Sequence, residues 1–379
     1  MAGRYHEVRN KSFTTIYKYG PLCPIGQMRK LSLLEPRTLR GKQYSGRNLV
    51  FHFKSMKTFA IGVVSAAAVL ATSASAETAL RGASLFDEEH AYTKTLREFE
   101  RLVGEKYSGD VSFEVSLNGE LGDESDFVTF LQQGVAIDYA IMAPSNMATF
   151  APSIPLMDMP FLFRDLDHWN TALASDVMAP LEAELLEKAN IRVIGYAGGG
   201  VRNLASAEPI SNMEELTGHK MRVMGAPIQA QIFSALTAAP AAIAYNEVYN
   251  AIQTGVIAGF ENEAASIQNL KFYEVAPNIT LTKHAITVRP LVMSESTFSG
   301  LDDDLKTAIL AAGAEAGAFG RELESRQDGE KLQEMIDAGQ VVVTEFADRD
   351  ALLDLVVPVQ DSYAAELGAT DLLNAIREK

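Results

Sequence analysis

Two arginines stand where an arginine is costly. In GGGVRNLAS (198–206) Arg202 sits among glycine, valine, asparagine and leucine. In GHKMRVMGAP (218–227) Arg222 is enclosed by Met221, Val223 and Met224. A buried guanidinium without an anion costs roughly several kcal/mol, so each needs an internal carboxylate or a ligand that brings one. The planar fork grips a carboxylate with two parallel hydrogen bonds. Arg222 also lies just before a predicted helix at Pro227, whose free N–H groups favour negative charge. FEN (260–262) supplies complementary chemistry, with Glu261 as an internal partner for Arg202 and Asn262 as an amide free to donate to a ligand. Tyr245, after PAAIA, offers an apolar face and a hydroxyl, or ordinary core packing. Each arginine taken alone fits an internal salt bridge equally well; the repeated pattern favours a shared anion site.

The elements that must hold these groups alternate between strand and helix. Strands are predicted at 78–84, 111–117, 136–143, 191–197, 219–224 and 256–262. Helices are predicted at 88–104, where Tyr92, Leu96, Phe99 and Val103 recur every three or four residues, and at 123–134, 178–189, 227–236 and from Asn246 to Gly255. Ser211 with Glu214 reads as the capped start of a short helix. A long Ala-rich helix is predicted over 303–338. This order predicts an α/β fold with a largely parallel sheet, in which ligands bind at strand C-terminal ends. GGG (198–200) reads as a flexible crossover. The chain is expected to form two α/β lobes with crossings near 198–202 and 285–290.

The 379 residues are 47% hydrophobic and 22% charged, a globular composition with room for two domains. Residues 56–76 (MKTFAIGVVSAAAVLATSASA) have the basic start, short apolar run and small-residue end of a secretory signal peptide cleaved after Ala76. Residues 1–55 hold 11 Lys/Arg and 2 Asp/Glu. They are read as a non-native or unstructured extension, with Met56 as the start. They carry +9 and Lys57 one more, so 77–379 carries −26 of the total −16. So acidic a protein is a poor ligand for nucleic acid or anionic lipid. An anionic ligand must be captured by local cations against that field. Cys23, the one cysteine, lies in the extension, so no cysteine-based metal or redox site is expected.

Enzyme signatures are missing: no G-x-S-x-G, P-loop, H-E-x-x-H or G-x-G-x-x-G is present. His90, His168, His219 and His284 lack metal-ligand spacing, and no cofactor is expected. Acid pairs such as Asp123-Glu124 read as solvated helix faces.

LNGELGDESDFVTFLQQGVAID (117–138), MPFLF (159–163), GGVRN (199–203), HKMRV (219–223), YNEVYNAIQTGVIAGFEN (245–262) and KFYEVAPNITLTKH (271–284) occur in the order and spacing of one family. The chain over 77–379 resembles the substrate-binding proteins of TRAP transporters, the DctP type. The resemblance implies the two-lobe periplasmic binding protein fold with crossover strands and a long C-terminal helix. It implies lobes of 77–199 plus 288–327 and 200–287 plus 328–379. It implies that Arg222 pairs with a ligand carboxylate, that Arg202 is a second ligand-side arginine, that Asn262 and Tyr245 contact the ligand, and that Glu261 and His284 tie to Arg202. Positions that vary in such proteins set specificity: Glu89 and His90 at the first helix, Ser145 and Asn146 after the third strand. Their alternative is helix capping and solvent exposure. This polar set suits a uronate or aldonate, and a second arginine leaves a C4-dicarboxylate open. The expected partners are a small organic acid and TRAP permease subunits in the membrane, with the protein in the periplasm as a monomer, or a dimer through the Ala-rich helix. The rivals are a secreted enzyme on acidic sugars, using His90 with Glu89 or His284 with Glu261, and a receptor that signals through a membrane kinase.

Overall fold

The computed structural model describes residues 78–379; the expected extension and signal peptide lie outside them. Strands β1 (Thr78–Ala83), β2 (Val111–Ser116), β3 (Tyr139–Ile141), β4 (Ile191–Ser206), β5 (Lys220–Val223), β6 (Ala239–Ala242), β7 (Gly259–Asn262), β8 (Asn278–Ser294) and β9 (Val342–Glu345) form one sheet. Its order is β2-β1-β3-β8-β4-β7-β5-β6, with β9 on β8. The flanks are parallel, as the strand–helix alternation requires: β1 with β2 and β3, β5 with β6 and β7. The centre is not. The β3–β8, β8–β4 and β4–β7 pairs are antiparallel, so the expected largely parallel sheet is mixed. β4 and β8 are single long strands running in opposite directions, from Ile191 opposite Ser294 to Ser206 opposite Asn278. One end of this ladder meets β3 and the other meets β7.

The glycine run expected as a flexible crossover lies inside β4. Gly198 and Gly199 have φ of 114° and 120°, in the left-handed region that costs glycine least. The ladder slips register there, between Gly198 and Val201. The slip is pinned by the Thr287 hydroxyl, which accepts from the N–H of Gly199 at 2.9 Å and of Gly200 at 3.0 Å.

A helix of 35 residues, Asp303–Asp337, packs against β4 and begins at an Asp302 cap that accepts from the Leu305 N–H. Its inward glycines permit contact with the strand backbone itself: a Cβ on Gly313 would lie 2.2 Å from the Ile194 carbonyl oxygen. Helix Ala91–Lys106 packs on the same long helix and buries Tyr92, Leu96, Phe99 and Val103, the predicted stripe. Helix Glu124–Gln133 opens with a capping box of Asp123 and Asp126 and ends at Gly134. The short helix Met213–Leu216 starts one residue later than its sequence signature. Asn212 is the cap, and Ser211 donates to the Glu215 carboxylate instead. β6, β9 and the helices Arg349–Glu366 and Thr370–Arg377 have no counterpart in the sequence reading. β6 reads APAA, with nothing that favours a strand, and is one because β5 pairs with it.

Candidate functional site

A cavity of about 200 Å³ opens between the two flanks of the sheet. Arg202 from β4, Arg222 from β5, Asn262 from β7 and Arg289 from β8 reach it. So do Tyr245 from the turn after β6, Asn146 from the turn after β3 and Glu124 from its helix N-terminus. Leu85, Phe86, Met224 and Ile243 give it apolar walls. A few convergent polar groups on an apolar lining is the usual form of a small-molecule site.

The three arginines differ in what they already hold. Arg202 is saturated. Its Nε and Nη2 meet the two Glu261 carboxylate oxygens at 2.5 and 2.8 Å, Nη2 also donates to the Glu261 carbonyl, and Nη1 donates to Asn262 Oδ1 at 2.7 Å and Glu263 Oε2 at 2.9 Å. All five N–H groups of a guanidinium are thereby used. Register explains the pairing: Asn203 lies opposite Asn262 and Leu204 opposite Glu261, so β7 carries both partners alongside Arg202. His284 completes the cluster, with Nε2 donating to Glu261 at 3.2 Å and Nδ1 accepting from Thr282 at 2.8 Å. Burial lowers the His284 pKa and outweighs Glu261, which keeps the ring neutral in this tautomer. Burial also works against ionised Glu261, but Arg202 and His284 outweigh it and hold the carboxyl at about 2.

Arg222 has no carboxylate within salt-bridge distance among the described residues. It is 3% exposed, its Nε donates to the Ile243 carbonyl at 2.8 Å, and its guanidinium lies over the Tyr245 ring at 5.4 Å. Burial lowers its pKa, and Glu261 does not make up the difference. Asn262 is oriented by Arg202 on its oxygen, so its Nδ2 donates to the Tyr245 hydroxyl at 2.5 Å. The amide expected to be free is thus partly engaged, with one N–H left.

The four variable positions separate. Asn146 lines the cavity and donates to Glu124 Oε2 at 2.7 Å. His90 lies one layer behind the wall, stacked on Phe86 at 3.8 Å and hydrogen-bonded to Ser266. Its Nδ1 accepts from the Tyr92 N–H as the helix cap, and burial lowers its pKa to about 4. Ser145 is buried away from the cavity, donating to Asp158 Oδ1 and accepting from Gln229. Glu89 points to solvent and pairs with Lys94.

Sequence reasoning missed three groups. Glu124, read as a solvated helix face, is 7% exposed because it occupies the first turn, where it turns back to accept from the Ala143 N–H at 2.8 Å. Glu263 follows FEN directly and accepts from Arg202, Tyr92 and Ser266. Arg289, in AITVRPLVM, shows the signal that singled out the other two arginines, a lone cation in an apolar strand.

Residues 83–366 match the family model of the bacterial extracellular solute-binding proteins, family 7, DctP. The chain belongs to this family. A solute-binding protein of Sulfitobacter sp. (strain NAS-14.1) is 74% identical over 321 residues, 84% of this chain and 97% of that one. A solved TRAP periplasmic solute-binding protein from Sulfitobacter sp. NAS-14.1, with bound α-D-taluronate, is 75% identical with a TM-score of 0.79, covering 79% of this chain and 97% of that one. A second from the same strain, with bound β-D-galacturonate, is 28% identical with a TM-score of 0.74, covering 80% and 100%. The resemblance read from the motifs, and the fold it implied, are borne out. Among the described residues no helix is long and apolar enough to cross a membrane.

Proposed function

We propose that the protein is the periplasmic receptor of a TRAP transporter and captures a hexuronate or related sugar acid for delivery to a membrane permease. Arg222 carries this reading. A buried cation with no carboxylate at salt-bridge distance among the described residues, on the wall of a cavity, is best completed by a ligand carboxylate gripped bidentately. The taluronate and galacturonate bound by two members of the family support that ligand class. The lobes proposed are 77–199 plus 288–327 and 200–287 plus 328–379. A ligand touching Arg222 on one and Asn146 on the other favours their closure over the site.

No acid–base catalyst is proposed. Of the two pairs that an enzyme would use, His90 is buried while Glu89 is in solvent, and His284 and Glu261 are committed to each other and to Arg202. The test is calorimetry and thermal unfolding of the purified protein with taluronate, galacturonate, glucuronate, an aldonate, malate and an aromatic acid. A ligand at about 100 times its Kd adds about 2.7 kcal/mol of stability. Binding of one or more sugar acids without turnover is the expected result. No response to any sugar acid overturns the reading.

A further inference from the structure

Arg289 is the third arginine at the cavity, and its situation differs from both others. It is 6% exposed. Its one hydrogen bond among the described residues runs from Nη1 to the adjacent Val288 carbonyl at 3.2 Å, and its Nε is buried without an acceptor. Among the described residues no carboxylate lies within salt-bridge distance of it, and its guanidinium stands over the Tyr92 ring at 5.3 Å. Carboxylates nonetheless surround it at longer range. Burial alone would lower its pKa, but Tyr92, Glu263, Glu124 and Glu324 act together to raise it.

Arg222 and Arg289 are therefore deficient in different ways. Arg222 has one acceptor, the Ile243 carbonyl, and no carboxylate within salt-bridge distance among the described residues, and its burial outweighs the more distant Glu261, which is a request for an anion. Arg289 has its counter-charge at a distance and, beyond the Val288 carbonyl, is short of acceptors. A second carboxylate placed there would face Glu263 and Glu124; a neutral hydroxyl or ring oxygen would accept from the guanidinium without that repulsion. Glu124 sharpens the choice. Its Oε2 is occupied by Ala143 and Asn146, and Oε1 has no hydrogen-bond partner among the described residues, so it can accept from a hydroxyl beside Arg289 and disfavours a carboxylate there.

We propose that Arg289 is a specificity-determining binding residue that donates to the hydroxyl or ring oxygens of a sugar acid whose carboxylate is held by Arg222, and that together with Glu124 it selects polyhydroxylated monoacids over dicarboxylates. This rests on the sugar-acid reading given above and names which atoms of the ligand the site reads.

The experiment compares the wild type with Arg289→Met and Arg289→Lys. Lysine keeps the cation among its carboxylates, and so the charge balance of the fold, but loses the planar fork. Affinities for D-taluronate, D-galacturonate, glycolate and malate are measured by calorimetry, with NMR titration for the weak ligands. Glycolate presents a carboxylate to Arg222 and is too short to span the cavity. The expected result is a loss of about 10- to 100-fold for the best uronate in both variants, the scale of hydrogen bonds to a charged group. Glycolate affinity stays within about threefold, and malate binds the wild type more weakly than the uronate. Uronate affinity unchanged in Arg289→Lys and Arg289→Met overturns the proposal. So does an equal loss for glycolate, which marks a structural role, or malate binding more tightly than the uronate and depending on Arg289, which marks a second carboxylate clamp. A wild type that binds none of the sugar acids defeats the sugar-acid reading itself.

Discussion

The Arg202 guanidinium lies against both oxygens of the Glu261 carboxylate, at 2.5 and 2.8 Å, and both side chains are almost wholly buried. Arg202 is therefore a structural cation at the floor of the site. Replacing it with methionine leaves Glu261 and Glu263 buried without the group they share. The ligand-free protein is expected to lose about 3–5 kcal/mol, the scale for breaking a buried pair from one side, measured by urea unfolding. A smaller loss, with ligand affinity falling instead, would reassign Arg202 to the ligand.

Arg222 should behave in the opposite way. Its folded environment disfavours its charge, and it gives up only one bond to the Ile243 carbonyl. Arg222→Met is expected to leave the ligand-free protein as stable as the wild type or slightly more so, and to weaken ligand binding by about 2–5 kcal/mol. Paired measurements of ligand-free unfolding and calorimetric affinity separate the two arginines cleanly: one variant loses stability, the other affinity.

His90 predicts a pH dependence. Its pKa falls from 6.5 to about 4 on folding. Between those values the unfolded chain binds the proton and the folded chain does not, so this contribution is complete above pH 6.5 and is lost as pH falls to about 4. Asparagine caps a helix well and does not titrate. Relative to the wild type, His90→Asn should gain about 3 kcal/mol between pH 7 and pH 4. Measuring the difference between the two proteins removes the opposing contribution of Asp158, which burial raises to about 6. A difference independent of pH would mean that His90 takes up its proton alike in the folded and unfolded protein.

The glycines of helix Asp303–Asp337 predict a change of sign within one element. At Gly313 a Cβ would meet the Ile194 carbonyl, while at Gly329 nothing lies within 4 Å. Gly329→Ala should gain up to about 1 kcal/mol from helix propensity. Gly313→Ala should lose about 1–3 kcal/mol by forcing the helix off the strand. Thermal unfolding of the two variants, with no ligand present, checks both signs.

What was legible in the sequence were the groups whose local setting is anomalous. Arg222 and Arg202 stood out because cations are rare in apolar strands, and Glu261 and Asn262 because they end one. What was not legible depends on pairing across distance. That Arg202 is saturated and Arg222 is not follows from the β4–β7 register, which no local pattern encodes. Glu124 was hidden because an acid in a first helical turn usually faces water; here the turn faces a cavity. Ser145 and Glu89 flank pocket or wall residues in sequence and point elsewhere, since neighbours in an irregular turn share no face. The flanking parallel strands other than β6 announced themselves by alternating with helices. The antiparallel centre did not, because β8 carries Pro290 and is joined to β4 by no hairpin.

The ladder between β4 and β8 also sets an order of events. The strand in the middle of the sheet, β4, finds its main partner only after β5, β6 and β7 have been added to the chain, since Ile191 waits for Ser294. Contacts so distant in sequence make folding slow, because long loops must close before the contacts that reward closure exist. A nascent chain that has not reached β8 holds strands and helices without the element that joins its two flanks. It stays without that joining strand until Asn278–Ser294 of the 379 residues has been made.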